Sequence, residues 1–365
     1  MRRNWSKLGF LLAILVLLLA SVSATAVPQS ASPDRIAKWQ RVISRDVPLA
    51  EQEAALALVT EEVLAQAQPL PMPALDENAF TEEDLIVGPT GPFGFAPSGL
   101  SEEDLAASVE ALDLSSEAEL AAPMPLDAYS YPPPFTRYAV NKHTYMWQYF
   151  PWKTMGKLLF QKPGSASWYY CTASVMYGRA LWTAGHCVYT KGLGWHRNMT
   201  FYPAWRNGSA PYGTWTVFAM ATLTGWQGGK YAYDIGAAAV NDVGGKKVSQ
   251  VVGNLGAMWN ASATQHFHAF GLPSNIDSGK YLQCCAASTN RRDAQSGPDP
   301  IGIGCDMLHG SSGGPRVMVY KPYEGGANNY VNGVNSYYHT DKPKQVYSAY
   351  FGDGAKNLYN WGKTK

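Results

Sequence analysis

The sequence lacks the short patterns by which many hydrolases and small domains hold metal ions. Its 365 residues contain neither a His-Glu-x-x-His pattern nor a pair of Cys-x-x-Cys repeats. Metal-dependent hydrolysis is therefore poorly supported, and we expect no metal ion or other cofactor. The basic residues are scattered rather than clustered, and no nucleic-acid-binding motif occurs. We accordingly expect no nucleic-acid partner.

Long apolar runs are equally scarce. The one pronounced run, residues 8–20, follows a basic start and precedes the small residues Ala24, Thr25 and Ala26. Spanning a bilayer takes about 20 apolar residues, and this run is shorter. The arrangement is typical of a secretory signal peptide. We predict that residues 1–26 are removed and that the mature protein is extracellular, with no further contact with a membrane.

Cysteine is missing from the first part of the chain. The five cysteines are Cys171, Cys187, Cys284, Cys285 and Cys305. Export to an oxidising compartment would allow them to pair. Because five is an odd number, at least one thiol is free or bonded to another molecule.

Basic residues are rare between residues 27 and 127, where 4 of them stand against 19 acidic ones, a net charge of −15. From residue 128 to 365 the balance is reversed, with 22 basic and 9 acidic residues and a net charge of +13. Opposite charges attract, so the two parts should associate. We predict that residues 27–135 are a propeptide that folds onto a basic domain, residues 136–365, and inhibits it until it is cut. The alternative is an acidic tail that only aids secretion.

The acidic segment is expected to be partly helical. Residues 46–67 are rich in Ala, Leu and Glu, and Thr81 and Ser101 each precede Glu-Glu-Asp, a typical helix start. The Pro-rich stretch 69–73 is interpreted as a separator between such pieces. The cut that would remove the propeptide is expected at Arg137 or in the Pro-rich residues before it.

Beyond Tyr138 the pattern changes to short strands. Aromatic and β-branched residues become dense, glycine recurs, and no long helical stripe is visible. The strands are expected at 157–160, 169–175, 215–223, 235–240 and 316–320. This pattern predicts an all-β barrel or sandwich architecture. A short closing helix is expected at 357–361.

Two motifs carry the chemistry: Leu-Trp-Thr-Ala-Gly-His-Cys at 181–187 and Gly-Ser-Ser-Gly-Gly-Pro at 310–315. A serine hydroxyl is a weak nucleophile, so Ser312 needs a base to remove its proton and a third group to orient that base. His186 is the candidate base. The glycines allow a tight turn in which the N–H groups of Gly310 and Ser312 aim at one spot, as an oxyanion hole requires.

At these motifs the chain resembles the trypsin-like serine peptidases. The family places its aspartate between the two motifs, where this chain has Tyr-Asp-Ile-Gly-Ala at 233–237. The resemblance implies a catalytic triad of His186, Asp234 and Ser312, and a disulfide between Cys171 and Cys187. It also implies two six-stranded antiparallel β-barrels, about 150–245 and 246–355, in a monomer that cleaves proteins or peptides.

Within the family the chain is similar to the bacterial glutamyl endopeptidases, at residues 150–157, 270–273, 305–306 and 332–336. This likeness implies cleavage after Glu or Asp. Those enzymes place a histidine where this chain has Asn335, and His309 or His339 is a candidate to compensate. Asp306 stands six residues before Ser312, where Arg/Lys-specific members place the acid of their pocket. Cleavage after Arg or Lys is therefore the alternative.

Several assignments stay open at this point. Ser336 resembles the family serine that hydrogen-bonds the triad aspartate. Asp242 and Asp277 compete with Asp234, and Cys305 has Cys284 or Cys285 as a partner. Ser311 stands where digestive enzymes carry an aspartate that pairs with a new N-terminus, which argues against activation by that ion pair. The remaining alternative is an inactive protein that uses the same fold for binding.

Overall fold

The computed structural model describes residues 37–76, 85–86, 89–101, 104, 131–293 and 297–365. The predicted signal peptide and the helix start expected at Thr81 lie outside this part of the chain. None of the helices described there is long and apolar enough to cross a membrane.

Strands dominate the structure, as the sequence predicts. In chain order they are β1 Val42–Asp46, β2 Gln68–Pro69, β3 Ala74–Leu75, β4 Leu85–Ile86, β5 Gly94–Ala96, β6 Thr136–Ala139, β7 Met155–Gln161, β8 Trp168–Tyr177, β9 Ala180–Thr183, β10 Tyr189–Thr190, β11 Gly194–Trp195, β12 Arg197–Pro203, β13 Trp215–Leu223, β14 Gly236–Val240, β15 Gly256–Trp259, β16 His266–Gly271, β17 Gln283–Arg292, β18 Gly297–Pro298, β19 Ile301–Gly304, β20 Pro315–Met318, β21 Tyr330–Val334, β22 Tyr337–His339 and β23 Lys342–Ser348. The helices are α1 Leu49–Leu58, α2 Glu61–Gln66, α3 Thr224–Gln227, α4 Val248–Val252 and α5 Asp353–Lys363, with 3-10 turns at Met146–Gln148, Trp152–Thr154, Gly185–Cys187, Tyr231–Tyr233 and Asp277–Gly279.

The first barrel is a closed ring of six strands. β12, β7, β8, β9 and β14 follow one another through antiparallel pairs, and β13 pairs with both β12 and β14. Every residue of β7, β9 and β14 is buried. The small side chains of β14, Gly-Ala-Ala-Ala-Val, leave room for the indole of Trp182, which is 0% exposed on β9.

The second barrel closes through one continuous stretch of chain, residues 330–339. Its first half, β21, pairs with β20, and its second half, β22, pairs with β23. β19, β17 and β16 complete the ring back to β20. The prediction of two antiparallel barrels is therefore confirmed, as is the closing helix, which is longer than expected and spans α5.

The acidic segment adds strands to both barrels. β1 pairs with β13 of the first barrel, and β3 pairs with β22 of the second. The helical stretch expected over 46–67 is present as two helices, α1 and α2, whereas Asp46 ends a strand. Pro48 has an extended ψ of 144° and delays the first helix, and Thr60 caps the second by accepting a hydrogen bond from Val63 N.

Candidate active site

His186 and Asp234 are brought together by two paired strands. His186 lies in the 3-10 turn just after β9, and Asp234 lies just before β14, whose first residue Gly236 pairs with Thr183 at the end of β9. The Nδ1 atom of His186 is 2.7 Å from Oδ2 of Asp234. The barrel itself therefore sets the distance between the imidazole and the carboxylate.

Asp234 accepts hydrogen bonds on both of its oxygens. Its Oδ1 accepts from the backbone N–H of His186 at 2.7 Å, and the hydroxyl of Ser336 in the second barrel donates to Oδ2. Asp234 is fully buried, so a carboxylate there needs such donors to offset its lost hydration. The result is an imidazole held by Nδ1, which leaves Nε2 for chemistry.

The loop that carries Ser312 needs glycine at two positions. Gly310 and Gly313 have φ angles of +87° and +78°. A Cβ at Gly313 would lie 2.1 Å from Oγ1 of Thr183 and 2.8 Å from the amide nitrogen of Ala184, two residues before His186. Only a glycine allows the serine loop to approach the histidine loop this closely.

Further hydrogen bonds hold the serine loop to the first barrel. The N–H of Thr172 donates to the carbonyl of Ser312 at 2.8 Å, and its hydroxyl donates to the carbonyl of Gly310 at 2.9 Å. Oγ of Ser312 and Nε2 of His186 are both buried, and neither has a hydrogen-bond partner among the described residues. Such a bond between nucleophile and base often forms only when substrate is present.

The structure contains two disulfides, one of them next to His186. Cys171 on β8 is bonded to Cys187, the residue after His186, and Cys285 on β17 is bonded to Cys305, just before Asp306. Cys284 is the free, buried cysteine, and burial raises the pKa of its thiol to about 12. The pairing that the sequence left open is therefore between Cys305 and Cys285.

One group of potential metal ligands occurs among the described residues: Cys171, His186 and Cys187. Its two sulfur atoms are joined in the disulfide, so they are not the thiolates that bind zinc. The Nδ1 atom of His186 already faces Asp234. This donor set does not fit a metal ion.

The four residues expected at the substrate pocket have different surroundings. Ser336 lies on Asp234, and His309 accepts a hydrogen bond at Nδ1 from the backbone N–H of Met72. The Nε of Arg137 lies 3.2 Å from Oδ2 of Asp306. Asn335 is fully buried and donates to the carbonyl of Phe270, so its amide points into the second barrel.

His339 is the last residue of β22 and faces Asp293. Its Nε2 is 3.0 Å from Oδ2 of Asp293, to which the hydroxyl of Tyr337 also donates. Asp242 forms a bidentate pair with Arg179, and Asp277 pairs with Lys142. The two aspartates that competed with Asp234 are therefore bound elsewhere.

Sequence reasoning missed Arg316. This residue is fully buried on β20, donates to the carbonyls of Ile301 and Val346 at 2.7 and 2.8 Å, and donates through Nε to Oδ1 of Asn335 at 3.3 Å. Burial lowers the pKa of its guanidinium to about 9. Its position four residues after Ser312, in a strand of apolar neighbours, was the signal that could have revealed a structural arginine.

Part of the acidic segment lies against the site. Ser312 is 0% exposed and His186 is 7% exposed. The backbone N–H of Gly310, one of the two donors expected to form an oxyanion hole, donates to the carbonyl of Leu70 at 3.1 Å. The Pro-rich stretch that was interpreted as a separator therefore lies in the cleft.

Comparison with solved structures gives two informative likenesses. The protease Anisep from Arthrobacter nicotinovorans is 31% identical, with a TM-score of 0.52, and the match covers 58% of this chain and 96% of that one. A thermostable serine protease, AL20, from an extremophilic microorganism is 27% identical, with a TM-score of 0.53 over 59% of this chain and 99% of that one. A Glu endopeptidase is 17% identical with a TM-score of 0.48, a level that says nothing about what is cleaved.

A curated relative matches a shorter region. An extracellular metalloprotease of Bacillus subtilis (strain 168) is 37% identical over 101 residues, which are 27% of this chain and 32% of that protein. The chain thus spans about a third of the length of this relative. No family model matches the chain.

Proposed function

The chain belongs to the chymotrypsin-fold serine peptidases, and we propose that it is the precursor of a secreted endopeptidase that hydrolyses peptide bonds through an acyl-enzyme on Ser312. The observation that carries this proposal is the buried contact of 2.7 Å between His186 Nδ1 and Asp234 Oδ2 beside the Gly310–Pro315 loop. His186 is the base, Asp234 orients it, and Ser312 is the nucleophile.

The mechanism follows from this arrangement. Because Asp234 accepts a hydrogen bond from the N–H group at Nδ1, His186 is held with Nε2 free to take the proton of Ser312 as Oγ attacks the substrate carbonyl carbon. The N–H groups of Gly310 and Ser312 stabilise the negative oxygen that results. His186 then gives the proton to the leaving amine, the C–N bond breaks, and water releases the acyl group by the reverse sequence.

The test is covalent labelling of the processed protein with a serine-directed fluorophosphonate, together with peptide hydrolysis. Ser312→Ala should abolish labelling and lower kcat by at least about 1,000-fold. Ser167→Ala, at an exposed serine, is the matched control and should keep both. A wild-type protein that folds but neither labels nor cleaves would instead support an inactive binding protein.

The precursor organisation is supported by the sequence at both ends of the acidic segment and by its contacts. Residues 1–26 have the pattern of a signal peptide, and Leu70 and Met72 of the acidic segment bond to Gly310 and His309 beside Ser312. We propose that residues 27–135 inhibit the domain formed by residues 136–365 and are removed outside the cell. N-terminal sequencing of the secreted protein tests this: an active chain that begins near Val27 would refute it.

For specificity we propose cleavage after Glu or Asp in preference to Arg or Lys. The carboxylate that would bind a basic side chain, that of Asp306, is already paired with Arg137, which lies within the proposed catalytic domain. The net charge of +13 over residues 128–365 also favours acidic substrates. A panel of peptides that differ only in the residue before the cut decides the order, and faster cleavage after Arg than after Glu would reverse it.

A further inference from the structure

The stretch Leu70-Pro71-Met72-Pro73 joins β2, which pairs with β8 of the first barrel, to β3, which pairs with β22 of the second. We propose that it is a resident peptide ligand of the catalytic cleft and that its prolines protect it from being cut there. The cleft would thus bind extended peptides in which apolar side chains alternate with proline. Only the statement about cutting rests on the proposed peptidase function.

Backbone hydrogen bonds hold this peptide to both barrels. On the first barrel, Leu70 donates to the carbonyl of Tyr170 at 2.9 Å, where β2 pairs in parallel with β8. On the second barrel, Tyr338 donates to the carbonyl of Pro73 at 3.1 Å, and Thr340 donates to the carbonyl of Leu75 at 2.9 Å. The peptide is therefore bound by strand addition at two separate edges, the usual mode for extended peptides.

Two apolar side chains anchor the peptide between those edges. Leu70 is 3% exposed and belongs to the large apolar cluster that includes the core of the first barrel and part of the second, whereas Met72 is 2% exposed and belongs to a separate cluster that includes Cys305 and Met307. The backbone N–H of Met72 donates to Nδ1 of His309 at 2.8 Å. The two anchors thus belong to different apolar clusters, and their backbones bond to neighbouring residues at the start of the serine loop, Leu70 to Gly310 and Met72 to His309.

A proline follows the peptide carbonyl that lies at the proposed oxyanion hole. The Leu70 carbonyl accepts from the N–H of Gly310, so the peptide bond presented there is Leu70–Pro71. To cut it, Ser312 Oγ would form an ester with the Leu70 carbonyl carbon, and its proton would pass through His186 to the nitrogen of Pro71 as the C–N bond breaks. That nitrogen carries a ring carbon in place of hydrogen, which crowds the approach of His186.

The second proline and the restricted backbone of both prolines also favour binding without cleavage. Met72–Pro73 is a second bond to a proline nitrogen, so two of the three bonds in this tetrapeptide are protected in the same way. Proline also fixes φ near the extended value that strand addition needs, which lowers the entropy lost on binding. The same residues thus favour binding and oppose cleavage.

Substitutions in the full-length chain test whether Pro71 protects the bond after residue 70 from cleavage. Leu70→Glu supplies the side chain proposed for the residue before the cut, and Leu70→Glu/Pro71→Ala also removes the protecting ring. If the peptide panel favours arginine, Leu70→Arg replaces Leu70→Glu in both chains. Mass spectrometry of new N-termini should show the double variant cut after residue 70 at least about 10-fold faster than the single variant. As a control, Pro48→Ala alone changes a proline outside the cleft, and the bond after residue 70 should stay uncut in that chain. Adding Ser312→Ala to the double variant should stop the cutting after residue 70.

Binding is measured without any cutting, in the Ser312→Ala chain. The amides of Leu70, Met72 and Gly310 should exchange hydrogen at least about 10-fold more slowly than in the same chain carrying Leu70→Gly and Met72→Gly. Equal exchange in the two chains would overturn the resident ligand. Equal cutting of the single and double variants, in samples that cleave an added peptide, would overturn the protective role of Pro71.

Failure of the proposed function gives a different result. In that case no sample cleaves an added peptide or reacts with the fluorophosphonate, which overturns both the peptidase and the protection by proline. Slow exchange at Leu70 and Gly310 would still support the resident peptide.

Discussion

The ammonium group of Lys153 lies 2.9 Å from the carboxylate of Asp104, at a position where the lysine side chain is 1% exposed. The hydroxyl of Ser101 accepts from the same ammonium at 3.0 Å and donates to Asp104 at 2.8 Å. Asp104 and Ser101 belong to the acidic segment, and Lys153 precedes the first strand of the first barrel. The attraction that the net charges predicted thus includes a specific, buried ion pair.

Breaking this pair from one side should loosen the acidic segment. Asp104→Asn leaves the Lys153 ammonium buried without its countercharge, and we expect a loss of about 3 kcal/mol in the free energy of unfolding of the full chain. Urea denaturation measures it. Lys153→Met/Asp104→Leu removes both charges and should recover most of the loss, whereas an equal loss in the double variant would show that the charges are not coupled.

Removing the hydroxyl of Ser336 should slow catalysis without weakening substrate binding. Ser336→Ala takes one hydrogen bond from Asp234 Oδ2, which still faces His186. A hydrogen bond to a charged group is worth about 1.5 kcal/mol, so we expect kcat to fall about 10-fold with little change in KM. Ser336→Thr keeps the hydroxyl and should restore much of the rate. A fall in kcat/KM that comes from KM alone would contradict this role.

Gly313 and Gly208 form a matched pair for testing the close approach of the serine loop. Both have positive φ, +78° and +85°, but a Cβ at Gly208 meets open space, whereas one at Gly313 lies 2.1 Å from Thr183 Oγ1. Gly208→Ala should cost about 1 kcal/mol of unfolding free energy from backbone strain alone. Gly313→Ala should cost at least about 2 kcal/mol more and also abolish activity. Equal losses in urea denaturation would refute the steric argument.

The stability of the protein should rise between pH 7 and pH 10 because of Lys157. Its ammonium lies 4.3 Å from the ring centroid of Tyr170 and 4.1 Å from that of Trp205, and burial lowers its pKa to about 7. Below pH 7 the amine is charged in both states, so the cost of burying the charge is present in full. As the pH rises through 7 the folded state releases the proton first, and the unfolding free energy increases by about 3 kcal/mol.

The measurement is urea denaturation at pH 6.5 and pH 9. Lys157→Met should flatten the increase. Lys162→Met is the control, because Lys162 lies 4.5 Å from the ring centroid of Tyr169 but is only partly buried. An increase that persists in Lys157→Met would assign the pH dependence to other groups.

The sequence predicted local structure best at the two motif loops, where the backbone conformation accepts few residue types. The motifs around His186 and Ser312 predict the two loops because a catalytic turn tolerates few residues, and the apolar runs predict the strands to within about two residues. The prediction of two barrels came from a resemblance, since strand pairs such as β9 with β14 and β16 with β20 join distant parts of the chain. The positions of the expected strands and the presence of two barrels were predicted correctly.

Prediction was weakest where side chains meet across long stretches of chain. Nothing near Asp306 in sequence indicates Arg137, 169 residues away, and nothing near Asn335 indicates that Phe270 takes its amide. The prolines of residues 69–73 were interpreted as a separator, because composition cannot tell a free linker from a peptide bound to both barrels. Binding there depends on the carbonyl of Leu70 meeting Gly310, which only the folded chain shows.

The pairing of β1 with β13 has a consequence for the proposed removal of residues 27–135. Five residues of β13, from Ala219 to Leu223, have partners in Val42–Asp46. Any cut that lets β1 dissociate exposes the outward-facing backbone amides and carbonyls of this edge to water. An uncovered edge of this kind is a template for self-association. Colloidal stability, more than folding, would then become the limiting property of the freed enzyme at high concentration.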